Sequence, residues 1–156
     1  MFKKIVVGMD GSDRADHAFE VAVELAQASE AGITIAHIDE ETIGKGGGHI
    51  RADEPERIAA LKEKAARLTD SGTEADVQVA STLAGSPGSR IASIATEVGA
   101  DLIVVGTHGH SAMAGALLGS VAHKLLSVAH VPVLVVPDPA QEPVKVEAES
   151  SAAAAG

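Results

Sequence analysis

Short apolar runs alternate with amphipathic helical patterns along most of this chain. Five runs rich in Val and Ile predict strands, at residues 4–10, 33–39, 75–81, 101–106 and 132–136. Four stretches with apolar positions three and four residues apart predict helices, at about residues 12–31, 53–71, 86–98 and 120–129. Strands that alternate with helices form a parallel sheet with right-handed crossovers and helices on both faces. The pattern therefore predicts an α/β fold with a small, doubly wound sheet.

The predicted strands differ in how they should be covered. The first, fourth and fifth runs are almost continuously apolar, which is typical of parallel strands buried on both faces. Residues 76–79 alternate polar and apolar side chains, which predicts that the third strand lies at an edge of the sheet. In the first helix, Ser12 is the predicted N-cap and Gly32 the predicted stop.

Composition narrows the possible functions. The chain has 22 Asp and Glu against 12 Lys and Arg, so its formal net charge is −10. An acidic surface repels nucleic acid and anionic lipid, and neither is expected as a partner. The absence of cysteine excludes disulfides, thiolate zinc sites and a cysteine nucleophile. The absence of Trp and Tyr leaves almost no aromatic side chain on which a base could stack.

Two further features bear on location and domain limits. The apolar runs are strand-sized, well short of the roughly 18 residues of a membrane-spanning helix. The run before Asp10 is also too short for a signal peptide. We therefore expect a cytoplasmic protein without membrane insertion. Residues 138–156, an acidic segment rich in Ala, Pro and Ser, predict a disordered tail after a folded domain at 1–137.

The connection after the fourth predicted strand is the most informative segment. It runs for 13 residues, from Thr107 to Gly119, whereas such connections usually have about 2–6. Its glycines allow a close backbone approach, and it ends where Ser120 begins a predicted helix, whose N–H groups favour an anion. Ligands of doubly wound sheets bind at this carboxyl edge. The segment indicates a phosphate site built from backbone; the alternative is a flexible loop before an ordinary N-cap.

Other chemical motifs are absent or incomplete. No G-x-x-x-x-G-K-[ST] loop occurs, and the glycine run 44–48, which contains one lysine, is expected to be a linker. Residues 8–12 do not fit the G-x-G-x-x-G dinucleotide motif. His108 and His110 stand one residue apart without a third metal ligand, so we expect loop residues or phosphate neighbours rather than a zinc site.

The glycine-rich connection carries a recognisable spacing. Gly106, Gly109, Gly119 and Ser120 follow the pattern G-2x-G-9x-G-[ST], which resembles the motif of the ATP-binding branch of the universal stress proteins. The resemblance extends over residues 1–137 and includes KKIVVGMDGS, ADLIVVGTHGH, LLGSVAHKLL and VPVLVVP. It implies a Rossmann-like, five-stranded parallel sheet in the order 3-2-1-4-5 with four helices. It also implies ATP at the switch between strands one and four.

The same resemblance assigns roles near the base and the metal. It places Val7, Gly8 and Met9 in the wall of an adenine pocket, and it gives the backbone of Ile38 hydrogen bonds to the adenine edge. Asp10 would lie by the ribose and phosphates, where it can help hold Mg²⁺ or Mn²⁺. The alternative for Asp10 is that it only caps the following turn.

The phosphates would be held by the glycine motif itself. The resemblance places Gly106 and Gly109 under the ribose and phosphates. It places Gly119, Ser120 and Val121 at the phosphates, with the Ser120 hydroxyl as a direct donor. The expected ligands are ATP, or ADP or AMP, with Mg²⁺ or Mn²⁺.

Three functional hypotheses follow. The first is an ATP-binding regulatory module of the stress response, which acts on a regulatory protein partner as a homodimer paired through strand 132–136. The second is a slow ATPase or another ATP-using enzyme of this fold, although residues 102–123 contain no Lys, Arg, Asp or Glu to stabilise phosphoryl transfer. The third is a nucleotide-independent dimeric interaction protein, because the bare apolar strand 132–136 invites pairing.

Overall fold

A five-stranded, all-parallel sheet forms the centre of the molecule, in the order β3-β2-β1-β4-β5. The computed structural model describes residues 1–40, 54–82, 86–108 and 118–139. The strands are β1 (Lys4–Gly8), β2 (Gly32–Glu40), β3 (Ala75–Thr82), β4 (Leu102–Gly106) and β5 (Val133–Val136). The helices are α1 (Asp13–Ser29), α2 (Glu54–Asp70), α3 (Pro87–Glu97) and α4 (Ser120–Val128). The predicted doubly wound fold, its strand order and the edge position of β3 are confirmed.

Some predictions lie outside the described residues. These are the linker at 44–48, Gly109 of the glycine motif with its neighbour His110, and the predicted tail beyond Pro139. The described chain continues past β5 far enough for Asp138 to accept a hydrogen bond from Arg14 Nε of α1 at 2.7 Å.

Two separate cores lie on the two faces of the sheet, because successive side chains of a strand point to opposite faces. Helices α1 and α2 cover one face, over strand residues such as Ile5, Val7 and Ile33. Helices α3 and α4 cover the other face, over Val6 and Ile103 among others. Burial on both faces explains why the inner strands read as unbroken apolar runs.

The ends of helix α1 confirm one prediction and correct another. Ser12 is the N-cap, as predicted, and its Oγ accepts a hydrogen bond from Ala15 N at 3.2 Å. The predicted stop at Gly32 is wrong, because Gly32 is already the first residue of β2. The helix instead ends at Glu30, which takes the left-handed conformation (φ 55°), while Ala31 N donates to Ala26 O at 2.9 Å. The left-handed conformation that ends many helices is usually taken by glycine, and here Glu30 takes it.

The helices are short. Within the ranges described above, none combines the length and apolar character that crossing a membrane requires.

Candidate functional site

A cleft opens at the carboxyl ends of β1 and β4. The chain leaves β1 towards α1 on one face of the sheet and leaves β4 towards α4 on the other, so the two connections part and leave a crevice between them. The cleft holds about 990 Å³ of empty space when its open mouth is included. Its position follows directly from the reversal of strand order at β1.

Backbone forms the floor of this cleft. A Cβ atom at Gly8 would lie 3.0 Å from Val105 Cγ1 and 3.1 Å from Ile91 Cδ1, so the end of β1 packs closely against β4 and α3. Gly106 ends β4 beside the carbonyl of Arg14, which would lie 3.2 Å from an added Cβ. Glycine at both positions lets the ends of the two inner strands pack closely against their neighbours beside the cleft.

The backbone of Ile38 faces the gap left by the end of β1. In a parallel ladder, the N–H and C=O groups of one residue point to the same neighbouring strand, and the direction alternates along the chain. Ala36 faces β1, since its carbonyl accepts from Met9 N at 2.9 Å. Ile38 therefore faces the same side, beyond Gly8, where β1 has ended. A planar ring with edge donors and acceptors can hydrogen-bond there.

Asp10 is fixed at the end of β1 by the next turn. Its Oδ1 accepts hydrogen bonds from Ser12 N at 3.0 Å and from Ser12 Oγ at 2.6 Å. Asp10 lines the cleft, yet the described residues contain no group of three His, Asp or Glu side chains placed to hold a metal ion. Mg²⁺ commonly takes one or two carboxylates and completes its shell with phosphate oxygens and water. Asp10 fits that role only together with a bound phosphate.

The amino end of α4 forms the opposite wall. Gly119 is its N-cap and supplies no side chain to occupy the first N–H groups, and Ser120 is the first helical residue. Gly119 N donates to Thr107 O at 2.6 Å, which ties the helix start to the end of β4. Within the part of the chain described here, Thr107 Oγ1 is a buried hydroxyl oxygen without a hydrogen-bond partner. Helix N–H groups and hydroxyl groups are donors of the kind that bind anions.

A buried ion pair supports the wall on the α2 side. His37 Nδ1 lies 2.7 Å from Met9 O and must donate to it, because a carbonyl only accepts. His37 Nε2 lies 2.5 Å from Glu54 Oε1. The two side chains are 3% and 5% exposed. They join β1, β2 and the start of α2.

Arg57 brings a positive charge to the same wall. Its guanidinium Nη1 lies 3.7 Å from Glu54 Oε2, one helical turn earlier. Its stem crosses the β1–α1 turn, since a Cβ at Gly11 would lie 3.0 Å from Arg57 Nε. Gly11 also has a φ of +79°, a conformation that glycine adopts without strain. Gly11 thus satisfies both the sharp turn and the close passage of Arg57.

Eight of the ten predicted site residues line the cleft. They are Gly8, Met9, Asp10, Ile38, Gly106, Gly119, Ser120 and Val121. Val7 lies elsewhere, with its side chain buried in the core beneath α1, and Gly109 lies outside the described residues. His108 also lines the cleft.

Sequence reasoning missed the α2 half of the site. Among the lining residues that were not predicted are the polar residues His37, Glu54, Arg57 and Thr107. A signal existed for the first, because a histidine inside the apolar run of β2 needs a buried hydrogen-bond partner. Nothing in the sequence indicates that the partner is the first residue of α2.

Comparison with known proteins gives matches that extend over most of this chain, and several of them have this fold. A model of the universal stress protein family matches residues 1–137. The universal stress protein YxiE of Bacillus subtilis (strain 168) is 32% identical over 150 residues, covering 87% of this chain and 99% of that protein. A crystal structure of a universal stress protein in complex with cAMP is 32% identical, with a TM-score of 0.64, and covers 86% of this chain and 97% of that one. A universal stress protein from Archaeoglobus fulgidus in complex with dAMP is 25% identical, with the same coverage and TM-score.

Proposed function

The chain belongs to the universal stress protein family, and from that premise we propose that its cleft binds an adenine nucleotide, ATP or a related ADP or AMP. One observation carries the proposal. Three residues of the glycine motif, Gly106, Gly119 and Ser120, converge with the end of β1 and with Ile38 on one cleft at the switch point of the sheet. Relatives of the same fold were solved in complex with cAMP and with dAMP, which share the adenine base.

The two ends of the cleft suit the two ends of a nucleotide. The β2 side offers the backbone of Ile38, which suits the edge of a flat heterocycle. The α4 side offers helix N–H groups, the Ser120 hydroxyl and the unpaired Thr107 hydroxyl, which suit phosphate oxygens. The base would therefore lie near β2 and the phosphates near α4.

A divalent cation is part of this proposal. Asp10 lies between the two ends of the cleft, with one carboxylate oxygen held by Ser12. Mg²⁺ or Mn²⁺ on this carboxylate would bridge it to the phosphates and offset the repulsion between two anions. Binding of ATP should thus be stronger with the cation than without it, and binding of adenosine should not depend on it.

Calorimetric titration of the purified full chain tests the proposal directly. The ligands are adenosine, AMP, cAMP and ATP, each with and without Mg²⁺. The variant Ser120→Ala should weaken ATP binding about three- to tenfold, as expected for one lost hydrogen bond to a charged group. The matched control is Ser127→Ala, which removes an exposed hydroxyl two turns later on the same helix and should leave ATP binding unchanged. Absence of ATP binding at millimolar concentration would refute the proposal.

We further propose that the domain is a regulatory module that works as a homodimer. Strand β5 lies at the edge of the sheet and, among the described residues, is paired only with β4. Its short apolar sequence VLVV leaves a row of backbone groups for a second copy to pair with. Sedimentation at micromolar concentration should give a dimer. Pro132 and Val136 direct their carbonyls to β4, so Val135 directs its N–H to the open edge, and Val135→Pro should give a monomer. A nucleotide-dependent change in binding to a regulatory protein partner would identify what the dimer controls.

The alternative of slow ATP hydrolysis makes a different prediction. Turnover clearly above background that is lost in Asp10→Ala, with ATP binding retained, would favour an enzyme. Binding without turnover would favour the regulatory module.

A further inference from the structure

Acidic and basic side chains are distributed unevenly around the cleft. Asp10 and Asp39 line it with their carboxyl groups, and the hydrogen-bonded pair of His37 and Glu54 lines it as well. Among the described lining residues, Arg57 is the only lysine or arginine. An acidic protein that holds a polyanion in an acidic cleft gains most from the one cation present there.

The position of Arg57 is set by neighbours on three elements. Its stem passes over Gly11 next to Asp10, and 17% of its side chain is exposed. Glu54 lies one turn before it on α2, with Oε2 at 3.7 Å from Arg57 Nη1. Glu54 is held in turn by His37, which is fixed on Met9 O. The guanidinium is thus held near the mouth of the cleft by a chain of contacts that begins at the end of β1.

The two sides of the cleft then complement each other. Helix α4 packs on one face of the sheet and presents N–H groups, whereas α2 packs on the other face and presents Arg57. A guanidinium is planar and presents several N–H donors in a fixed fork, which matches two phosphate oxygens better than it matches an uncharged sugar or base.

We propose that Arg57 is a phosphate-binding residue of the cleft, that it grips the nucleotide from the side opposite the α4 N-terminus, and that Glu54 and His37 position it. This inference rests on the proposed function, because it names a further ligand-contacting residue of the same site. It makes the cleft select for phosphate through a side chain as well as through backbone N–H groups.

Titration of Arg57 variants with ligands that differ only in phosphate tests the inference. For Arg57→Gln, the affinity for AMP and ATP should fall about tenfold or more, as for a lost charge-assisted hydrogen bond, while the affinity for adenosine should stay within about twofold. Arg57→Lys should recover part of the ATP affinity, because it keeps the charge but loses the fork. The matched control is Arg67→Gln, an exposed arginine at the far end of α2, paired with Glu63, which should leave all three affinities unchanged.

Each outcome supports or overturns the inference. An equal fall for adenosine and ATP in Arg57→Gln would mean that the residue shapes the cleft or packs on the base, and an unchanged ATP affinity would mean that it makes no contact; either result overturns the inference while nucleotide binding by the wild type stands. An equal effect of Arg67→Gln would show a general charge effect and would also overturn it. Failure of the wild type to bind any nucleotide would overturn the proposed function itself.

The positioning role of Glu54 has its own readout. Glu54→Gln should lower the ratio of ATP to adenosine affinity in the wild-type background and leave that ratio unchanged in the Arg57→Gln background. A purely structural role would affect adenosine and ATP alike in both backgrounds, so a coupled loss of phosphate selectivity supports positioning and an uncoupled loss overturns it.

Discussion

At the amino ends of the strands charged side chains pair with one another, whereas at the carboxyl ends they surround an open cleft. Lys4 Nζ lies 3.2 Å from Asp76 Oδ1 and 3.4 Å from Glu74 Oε1. Asp101 accepts hydrogen bonds from the backbone N–H groups of Lys3 and Lys4, at 2.8 and 3.2 Å. These contacts link β1, β3 and the start of β4, so the polar groups at this end are used within the chain.

The carboxyl ends use similar side chains differently. Asp10 and Arg57 are each fixed by a neighbour, yet both still line the cleft. Thr107 has a buried hydroxyl without a partner among the residues that the structure describes, and the first N–H groups of α4 face a glycine N-cap. Unpaired polar groups cost stability, and they are kept where a ligand can satisfy them. The comparison teaches that substitutions at the amino end should change stability, and those at the carboxyl end should change binding.

The largest expected effect comes from adding a charge at the start of α4. Ser120→Asp places a carboxylate in the first turn, where it interacts favourably with the helix dipole, so stability should stay equal or rise slightly. The same carboxylate repels phosphate, and ATP affinity should fall about 100-fold or more. Thermal unfolding and calorimetric titration on the same sample measure both quantities.

The control for this variant adds the same charge at the other end of α4, where the expected change in stability has the opposite sign. Ser127→Asp places the carboxylate in the last turn of α4, where it opposes the dipole and should lower stability slightly without affecting ATP binding. A fall in ATP affinity for Ser127→Asp equal to that of Ser120→Asp would contradict a local phosphate site.

A buried hydroxyl at the amino end provides the opposite test. Thr34 is fully buried, and its Oγ1 donates to Asp76 Oδ1 at 2.7 Å. Thr34→Val keeps the shape and removes that donor, so the free energy of unfolding should fall by about 1–2 kcal/mol, measured by urea unfolding. ATP affinity should not change. Thr96→Val, on the exposed face of α3, is the matched control and should stay within about 0.5 kcal/mol of wild type.

The strands and helices could be predicted from the sequence because the burial of each element determines its local pattern of apolar and polar residues. Burial on both faces makes the inner strands uniformly apolar, and the half-covered edge strand β3 keeps its polar alternation. The prediction that the fifth strand is buried on both faces is wrong, because β5 is the other edge strand and three of its four residues are only partly buried. The order of the strands does not follow from such patterns and came from the family resemblance. Val7 was predicted in the site because residues next to it in the sequence line the cleft. Side chains alternate along β1, however, and the side chain of Val7 lies in the core beneath α1.

The backbone half of the site was predictable and the side-chain half was not. Glycine spacing records a close backbone approach, so Gly106, Gly119 and Ser120 could be found from the sequence. His37 and Glu54, by contrast, meet only because the first turn of α2 lies against β2. Such a contact depends on tertiary packing between segments far apart along the chain, which no local spacing encodes.

Ser12 is the residue whose substitution should affect both stability and ATP binding. It lies at the carboxyl edge, yet its Oγ caps α1 by accepting from Ala15 N, and it also donates to Asp10. Ser12→Ala should lower the free energy of unfolding by about 1 kcal/mol through loss of the cap. It should also weaken ATP binding a few-fold in Mg²⁺, because Asp10 loses a hydrogen bond that orients it.

The control for Ser12 is a serine without a capping role. Ser93→Ala removes an exposed hydroxyl inside α3 that bonds only to the preceding turn, and stability should stay equal or rise slightly. An effect of Ser12→Ala on stability but none on ATP binding would show that the orientation of Asp10 does not depend on Ser12.

The smallest expected effect is a pH dependence confined to the amino end. Burial by itself would raise the pKa of Asp76, but hydrogen bonds from Thr34, Gln78 and Lys4 outweigh burial, and the pKa lies below its ordinary value of 3.8. A carboxyl group whose pKa is lowered on folding stabilises the protein above its unfolded value, and this contribution is lost as the pH falls through the folded value. The stability difference between wild type and Asp76→Asn should therefore be constant from pH 7 to about 5 and shrink below about pH 4.

Urea unfolding at pH 6 and pH 3 measures this stability difference. Thr34→Val should weaken the pH dependence because it removes one of the hydrogen bonds that lower the pKa of Asp76. ATP affinity at pH 6 should be the same in Asp76→Asn as in wild type, since Asp76 lies at the end of the sheet away from the cleft.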